Sequence, residues 1–448
     1  MNNYDEELLK NLKNVMGIVK SKYSIFLEFY IYYSVEKLHY FNCNKEDCTK
    51  LQSGIGMYIK DRDREHYYYT DIEKYEQLLL WLDKRYHIFE LGIKEDNKKL
   101  KQYGYRNNIF EDEYYLEKLK SFRKMVDSKA LTCALYTNFE FILIYNNNNF
   151  CTDGRAFQKI FFYEDKKIKH TFSLNQGQFI GDVIDCAKCF LSCKQKNDIF
   201  CLFNYKIEKI ILFPRAAGAL IHEICGHMLE NEYYKKGNCF YGKIDHKIAP
   251  VFLTVHDNPK LLYGNVNHVD DEGFELTKNT IIKRGILKGI IGDEIYRMKN
   301  EQFRCFRQSR KESYEYLSTG RTFCLEVEPG KRGRQEVVIE NCINSLIVYS
   351  FDKSYYNVST RKGYFQTNSF FVMEDGELKK VDQILRINLS GQTILDNILE
   401  LSNDNEYCEN MCYASSGYVS NATYCPTFVL GMNNMKVKYH RDHSITIK

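Results

Sequence analysis

Residues 222–227 read His222-Glu223-Ile224-Cys225-Gly226-His227, and this hexapeptide restricts the local fold more than any other stretch of the chain. Two imidazoles around a carboxylate suit one divalent cation, with the glutamate beside it to accept a proton. On a regular α-helix, residues four apart lie roughly 40° from one another around the axis, whereas residues five apart lie roughly 140° apart. The second angle is too wide for one ion. If both rings serve one metal, the helix must carry a π-bulge or a broken turn here, a distortion that favours functional sites. Gly226 supplies backbone freedom just before the second ring. In a chain with 11 histidines the same residues also fit two hydrogen-bonded core histidines, so the flanks decide.

The formal charge of +4 on 448 residues is close to neutral. It gives no footprint for nucleic acid or an anionic membrane, and a basic run such as Lys98-Lys99-Leu100-Lys101 reads as solvated loop. The acidic start Met1-Asn2-Asn3-Tyr4-Asp5-Glu6-Glu7 is no secretory signal, and the apolar stretch 23–35 is too short to span a bilayer. Sixteen cysteines on such a chain are expected as free thiols in the cytoplasm.

All five prolines fall at 214 or later. With the polar run Lys194-Gln195-Lys196-Asn197-Asp198 before them, they place a boundary near 200–210 and give two domains, 1–205 and 206–448. In the first, helical spacing appears over 5–20 and 71–86 and strand patterns over 134–145, 156–163 and 168–174, which predicts helices on a mostly antiparallel sheet. Cys186, Cys189 and Cys193, with Cys201 beyond, share one helix face, and a buried stripe explains them better than a metal. The second domain starts with a strand over 206–213, and the metal helix is expected to run to about Tyr234. Turn signals then separate strands at Asp257-Asn258-Pro259, Asp270-Asp271-Glu272-Gly273, Lys283-Arg284-Gly285, Glu328-Pro329-Gly330 and Glu374-Asp375-Gly376, and a helix is expected over 381–400.

The order of motifs resembles the TldD/PmbA family of zinc metallopeptidases, on its catalytic TldD side. The hexapeptide is followed by Leu229-Glu230 and Lys236-Gly237, then by Thr254-Val255-His256-Asp257 and the acidic turn at 270–273. Residues 282–289 resemble the family's ENGxLxGY segment, and Arg310-Lys311-Glu312-Ser313-Tyr314 its RRESY segment. Cys412 precedes Pro426-Thr427 at the distance of the family's third metal ligand. The likeness covers about 206–440. It departs at Arg321-Thr322-Phe323-Cys324, where the family has Arg-x-Thr-Asn, and at Ser354-Tyr355-Tyr356-Asn357 in a usually glycine-rich stretch.

The resemblance implies an α+β, two-domain architecture in which a C-terminal β-rich metallopeptidase domain carries the metal helix. It implies Zn²⁺ held by His222, His227 and Cys412, with Glu223 as general base and Cys408 the alternative sulfur. Arg310 and Arg321 are candidate substrate or oxyanion groups, against surface ion pairs as the plainer role. Cys225 is expected to pack rather than react, Glu230 and Glu232 either orient ligands or face water, and Asp270, Asp271 and Glu272 are expected in a structural turn rather than on a cation. The implied substrate is an unfolded peptide bound as an extended strand. The implied partner is a second copy or a TldE/PmbA-like subunit, with no nucleic acid or membrane. Two rivals remain open: a catalytically silent peptide-binding scaffold subunit, and a thiol hydrolase using Cys225 or Cys412.

Overall fold

Leu8, Leu12, Val15 and Val19 recur at helical spacing, and Asn3–Lys22 forms helix α1 with these residues buried. The structure is a computed structural model. It describes residues 3–87, 99–102, 132–174 and 206–448, less positions 24, 43, 44, 62, 63, 165, 166, 262–267, 369, 375, 376 and 382, with a few positions between 117 and 127. Cys186, Cys189, Cys193 and Cys201, and the part of the boundary expected near 200–210 that precedes residue 206, lie outside the described residues.

Helix α1 and a second helix, α2 (Glu76–Tyr86), cover one face of a seven-stranded sheet. The helix expected over 71–86 begins as a 3₁₀ turn, Ile72–Lys74, before α2. The strands are β1 (Ile25–Phe41), β2 (Cys48–Asp61), β3 (Arg64–Asp71), β4 (Lys101–Gln102), β5 (Cys133–Asn146), β6 (Phe150–Glu164) and β7 (Lys167–Leu174). They run in the order β3-β2-β1-β5-β6-β4 with β7 also on β6, and every pairing except β4 with β6 is antiparallel. The apolar stretch at 23–35 lies mostly in β1, and no helix among the described residues is long and apolar enough to cross a membrane. Side chains alternate along β1: Leu27, Phe29 and Ile31 face the helices, while Tyr30 and Tyr32 pack with Val269 and Tyr314 of the C-terminal half.

That second face is a buried polar seam. The Arg155 guanidinium donates to Asp271 at 2.7 Å, Lys159 Nζ to Ser420 Oγ at 2.9 Å, and Asn146 to the Glu272 carbonyl at 3.0 Å. The 270–273 acids form the expected turn, with Gly273 at φ +82° and the Asp270 carboxylate accepting the N–H groups of Glu272, Phe274 and Ser309.

The C-terminal half is strand-rich, with sheets of six, six and five strands. In the first, the hairpin of Glu406–Ala414 and Gly417–Cys425 forms one margin, its inner strand parallel to Cys324–Val327. The metal helix, Pro214–Ile221, packs on this hairpin so closely that a Cβ at Gly218 would lie 2.2 Å from Thr423 Oγ1. Two expectations are corrected. The metal helix does not reach Tyr234: it closes with a 3₁₀ turn, His227–Leu229, because Glu230 turns extended at φ −80°, ψ 143°. The helix expected over 381–400 is instead the strand Leu385–Leu389, a short Ser390-capped helix Gly391–Asp396 and the strand Ile398–Leu401. Buried Leu385, Ile387 and Leu389 alternate with half-buried Arg386 and Asn388, a period of two that the helical reading overlooked.

Candidate metal centre

The helix distortion that the spacing demands is present. Residues His222–Gly226 form a π turn, closed by the His227 N–H on the His222 carbonyl. The extra residue brings the two rings to the same side, with centroids 4.8 Å apart at 68°.

Cys412 reaches this pair from the edge strand of the hairpin. Its Sγ lies 3.3 Å from His222 Nε2 and 3.0 Å from His227 Nε2, and all three residues are buried. Strand alternation puts Cys412, Val419 and Asn421 on the face toward the helix. Cys408, four residues earlier on that face, lies near Arg215 at the start of the helix, and burial pushes its thiol up to about 11. It is not part of the cluster. Cys225 packs in the main core, and burial raises its thiol to about 12.

The partner of His227 settles which of its nitrogens faces inward. Glu230, fully buried, accepts from His227 Nδ1 at 2.9 Å and from the Thr322 N–H at 3.0 Å, leaving Nε2 toward Cys412. The Asn421 amide nitrogen lies 3.1 Å from His222 Nδ1 and 3.2 Å from its Nε2, and Oδ1 is buried without a partner among the described residues. A half-turn of that amide places Oδ1 on His222 Nδ1, the nitrogen that carries the proton when Nε2 holds a metal. Sequence reading missed Asn421 and Thr322: a lone polar residue on a strand has no signature, although the alternation from Cys412 through Val419 points to Asn421.

Electrostatics favour a cation here. Burial alone would raise the Cys412 thiol, but His222 and His227 outweigh it and bring it down to about 5. Burial disfavours a charged His227, yet Glu230 and Cys412 together raise its pKa well above the usual imidazole value. Burial would likewise raise Glu230, and His227 beside it brings the carboxyl down to about 2. A thiolate and a carboxylate are thus two buried negative charges that the imidazoles meet either as imidazolium or by sharing a metal ion.

The donor set fits such an ion. Tetrahedral zinc, with bonds of about 2.0–2.1 Å to nitrogen and about 2.3 Å to sulfur, holds those donors roughly 3.5 Å apart. The observed 3.3 and 3.0 Å fall about 0.2 and 0.5 Å short of that span, a gap that a small opening of the cluster closes. Glu223 supplies the second sign: its Oε2 is buried, 3.9 Å from His227 Nε2, and has no hydrogen-bond partner among the described residues.

Arg310 and Arg321 are both buried rather than on the surface. Arg321 donates to the Cys412 carbonyl at 2.9 Å and to Ser416 Oγ at 3.1 Å, with Nε 3.9 Å from Glu230. It ties the sulfur-bearing strand to the residue that orients His227. Arg310 donates to the carbonyls of Thr322 and Ser420 and stacks over Phe323 at 4.3 Å. Glu232 takes the Ser415 hydroxyl at 2.8 Å, away from the rings.

The profile described as PmbA/TldA metallopeptidase C-terminal domain matches residues 206–438, over half of the chain. A Metalloprotease TldD homolog of Buchnera aphidicola subsp. Schizaphis graminum is 26% identical over 199 residues, covering 44% of this chain and 40% of that protein. A metalloprotease of Methanocaldococcus jannaschii is 28% identical over 194 residues, covering 42% and 41%. The chain thus matches about two fifths of the length of these relatives. The crystal structure of TldE from Thermococcus kodakarensis superposes with a TM-score of 0.66 at 17% identity, over 94% of this chain and 98% of that one, and shares the mixed α+β fold. With the profile spanning the whole segment from the metal helix through the Cys412 hairpin, the chain belongs to the PmbA/TldA metallopeptidase family.

Proposed function

We propose that the chain is a zinc-dependent peptidase that hydrolyses amide bonds of unfolded, extended peptides, as in leader removal or peptide maturation. His222, His227 and Cys412 would hold the ion, and Glu223 would serve as general base. One observation carries this: three buried donors converge beside a buried carboxylate oxygen that no other described group uses. When bound, the ion would polarise the scissile carbonyl and acidify a water molecule.

The residues of the chain do the rest. Glu223 takes a proton from the attacking water and returns it to the leaving nitrogen. Glu230 and Asn421 hold the imidazoles in one tautomer and orientation, and Arg321 holds the strand of Cys412. Glu406–Ala414 is an end strand of its sheet, so an extended peptide can lie beside it through backbone bonds. Exposed Met411, Tyr413 and Tyr418 offer apolar surface on the same hairpin. The partner would be a second copy or a TldE/PmbA-like subunit. The described cysteines are free thiols, in keeping with a cytoplasmic setting.

The test is turnover of an unstructured fluorogenic peptide by the chain, alone and mixed with a TldE/PmbA-like subunit. Glu223→Ala abolishes turnover and keeps the metal. Activity that survives in Glu223→Ala, or that resists chelators, contradicts the proposal, the latter pointing to thiol chemistry at Cys225 or Cys412. A metal-binding chain without turnover in either setting leaves the scaffold role.

A further inference from the structure

On the face of the Cys412 hairpin turned away from the metal centre lies a cavity of about 310 Å³, between the hairpin and the N-terminal sheet. Met411 and Ser420 line it, a cross-strand pair one residue along from Cys412 and Val419. Its size falls within the range of small-ligand pockets, roughly 300–1,000 Å³.

The cations of its wall pair off with one exception, while two of its carboxylates, Glu140 and Glu312, take neutral donors and no cation among the described residues. Lys50 lies 4.0 Å from Glu36, and Arg155 bonds Asp271 at 2.7 Å. Lys311 lies 3.4 Å from Glu28 and over the Tyr30 ring. Glu312 accepts the Tyr418 N–H, and Glu140 accepts from the Asn138 amide. Arg310 remains. It is 5% exposed, one nitrogen serves two carbonyls, and no carboxylate lies within ion-pair distance among the described residues. Its other donors make no hydrogen bond there.

Asp271, which bonds Arg155, and Asp257 act on Arg310 only from beyond ion-pair distance, so the buried guanidinium has no carboxylate in direct contact and an anion that meets it is favourable. Glu140 fills that role only in part at neutral pH, because burial pushes its carboxyl up to about 7 against the pull of Arg155 and Arg310. A half-protonated Glu140 can itself donate a hydrogen bond to a bound anion.

We propose that this cavity binds a carboxylate carried by a peptide, with Arg310 as its counter-ion. The carboxylate is either an acidic side chain or the peptide's own C-terminus. A strand lying beside Glu406–Ala414 projects alternate side chains to the two faces of the sheet, so one peptide can meet the metal on one face and Arg310 on the other. The proposal extends the peptidase reading by naming a feature of the substrate, and its test measures binding apart from cleavage so that either can fail alone.

Calorimetric titration of the full chain carrying Glu223→Gln uses three N-acetylated alanine pentapeptides: amidated with a central glutamate, unamidated without it, and amidated without it. One of the two carboxylate-bearing peptides binds about tenfold tighter than the third, and which one identifies the source. Arg310→Gln removes the preference. Equal binding of all three, or a preference that survives in folded Arg310→Gln, overturns the proposal. If Arg310→Gln does not fold, the near-isosteric Gln52→Glu on the cavity wall decides. An added anion there weakens the preferred peptide several-fold, and unchanged binding overturns the proposal.

Discussion

Glu230→Gln isolates one contact of the metal centre without altering its shape. The carboxylate uses Oε2 for His227 Nδ1 at 2.9 Å and Oε1 for the Thr322 N–H at 3.0 Å, and the residue is fully buried. Glutamine has one oxygen, so one of those donors must face an NH₂ group. An unsatisfied buried donor costs about 1–3 kcal/mol in stability. Losing the partner of a metal-bound imidazole weakens metal affinity by roughly 10- to 100-fold, or about 1.4–2.7 kcal/mol. The assay is zinc competition against a chromophoric chelator at neutral pH, with a thermal melt of the metal-free protein alongside. The pH dependence follows from the depressed carboxyl, about 2 in the fold against 4.5 as the ordinary value. Its charge stabilises the fold above the ordinary value, and that contribution is lost progressively as pH falls from 4.5 through about 2. The stability gap between wild type and variant is therefore flat above about pH 5 and narrows below it. Zinc affinity within twofold of wild type would refute the argument that Glu230 orients His227.

Other outcomes follow from the same coordinates. Cys408→Ser keeps full metal stoichiometry, because Cys408 lies outside the three-donor cluster; loss of metal in a folded variant would contradict the choice of sulfur. Lys159 and Glu409 are 3.7 Å apart and nearly fully buried, so Lys159→Met alone costs about 3–5 kcal/mol in denaturant unfolding, whereas Lys159→Met with Glu409→Leu restores much of it. A double variant as unstable as the single one would show that the pair is not the source. For Glu140, with its carboxyl raised to about 7, the unfolded chain loses the proton first as pH rises. Its contribution therefore turns unfavourable between about pH 4.5 and 7, and Glu140→Gln flattens the thermal midpoint between pH 5 and 8; an unchanged pH profile would contradict the raised carboxyl.

The metal helix was legible because a geometric conflict was written into it: five-residue spacing cannot serve one ion on a regular helix, and the π turn at His222–Gly226 resolves the conflict. Cys412 was legible only through its distance to Pro426-Thr427 in the family likeness, since a sulfur that arrives by strand pairing about two hundred residues away has no local signal. Helices α1 and α2 and strands β5–β7 were visible in their periodicities. Strand β1 showed only as an apolar run, because it is buried on both faces for much of its length. The end of the metal helix was missed because Glu230 leaves the helical path to reach His227, a tertiary demand. Arg310 and Arg321 were chosen as residue types suited to anionic chemistry, but their burial against carbonyls is decided by packing that their neighbours in sequence do not reveal.

Everything rests on two imidazoles and the Cys412 sulfur sharing one ion. X-ray absorption at the zinc edge, on protein loaded with one equivalent, reads the ligand atoms directly. The expected first shell holds one sulfur at about 2.3 Å with light nitrogen or oxygen scatterers at about 2.0–2.1 Å, and the sulfur disappears in Cys412→Ala. A shell without sulfur in the wild type, or one whose sulfur persists in Cys412→Ala, contradicts the account.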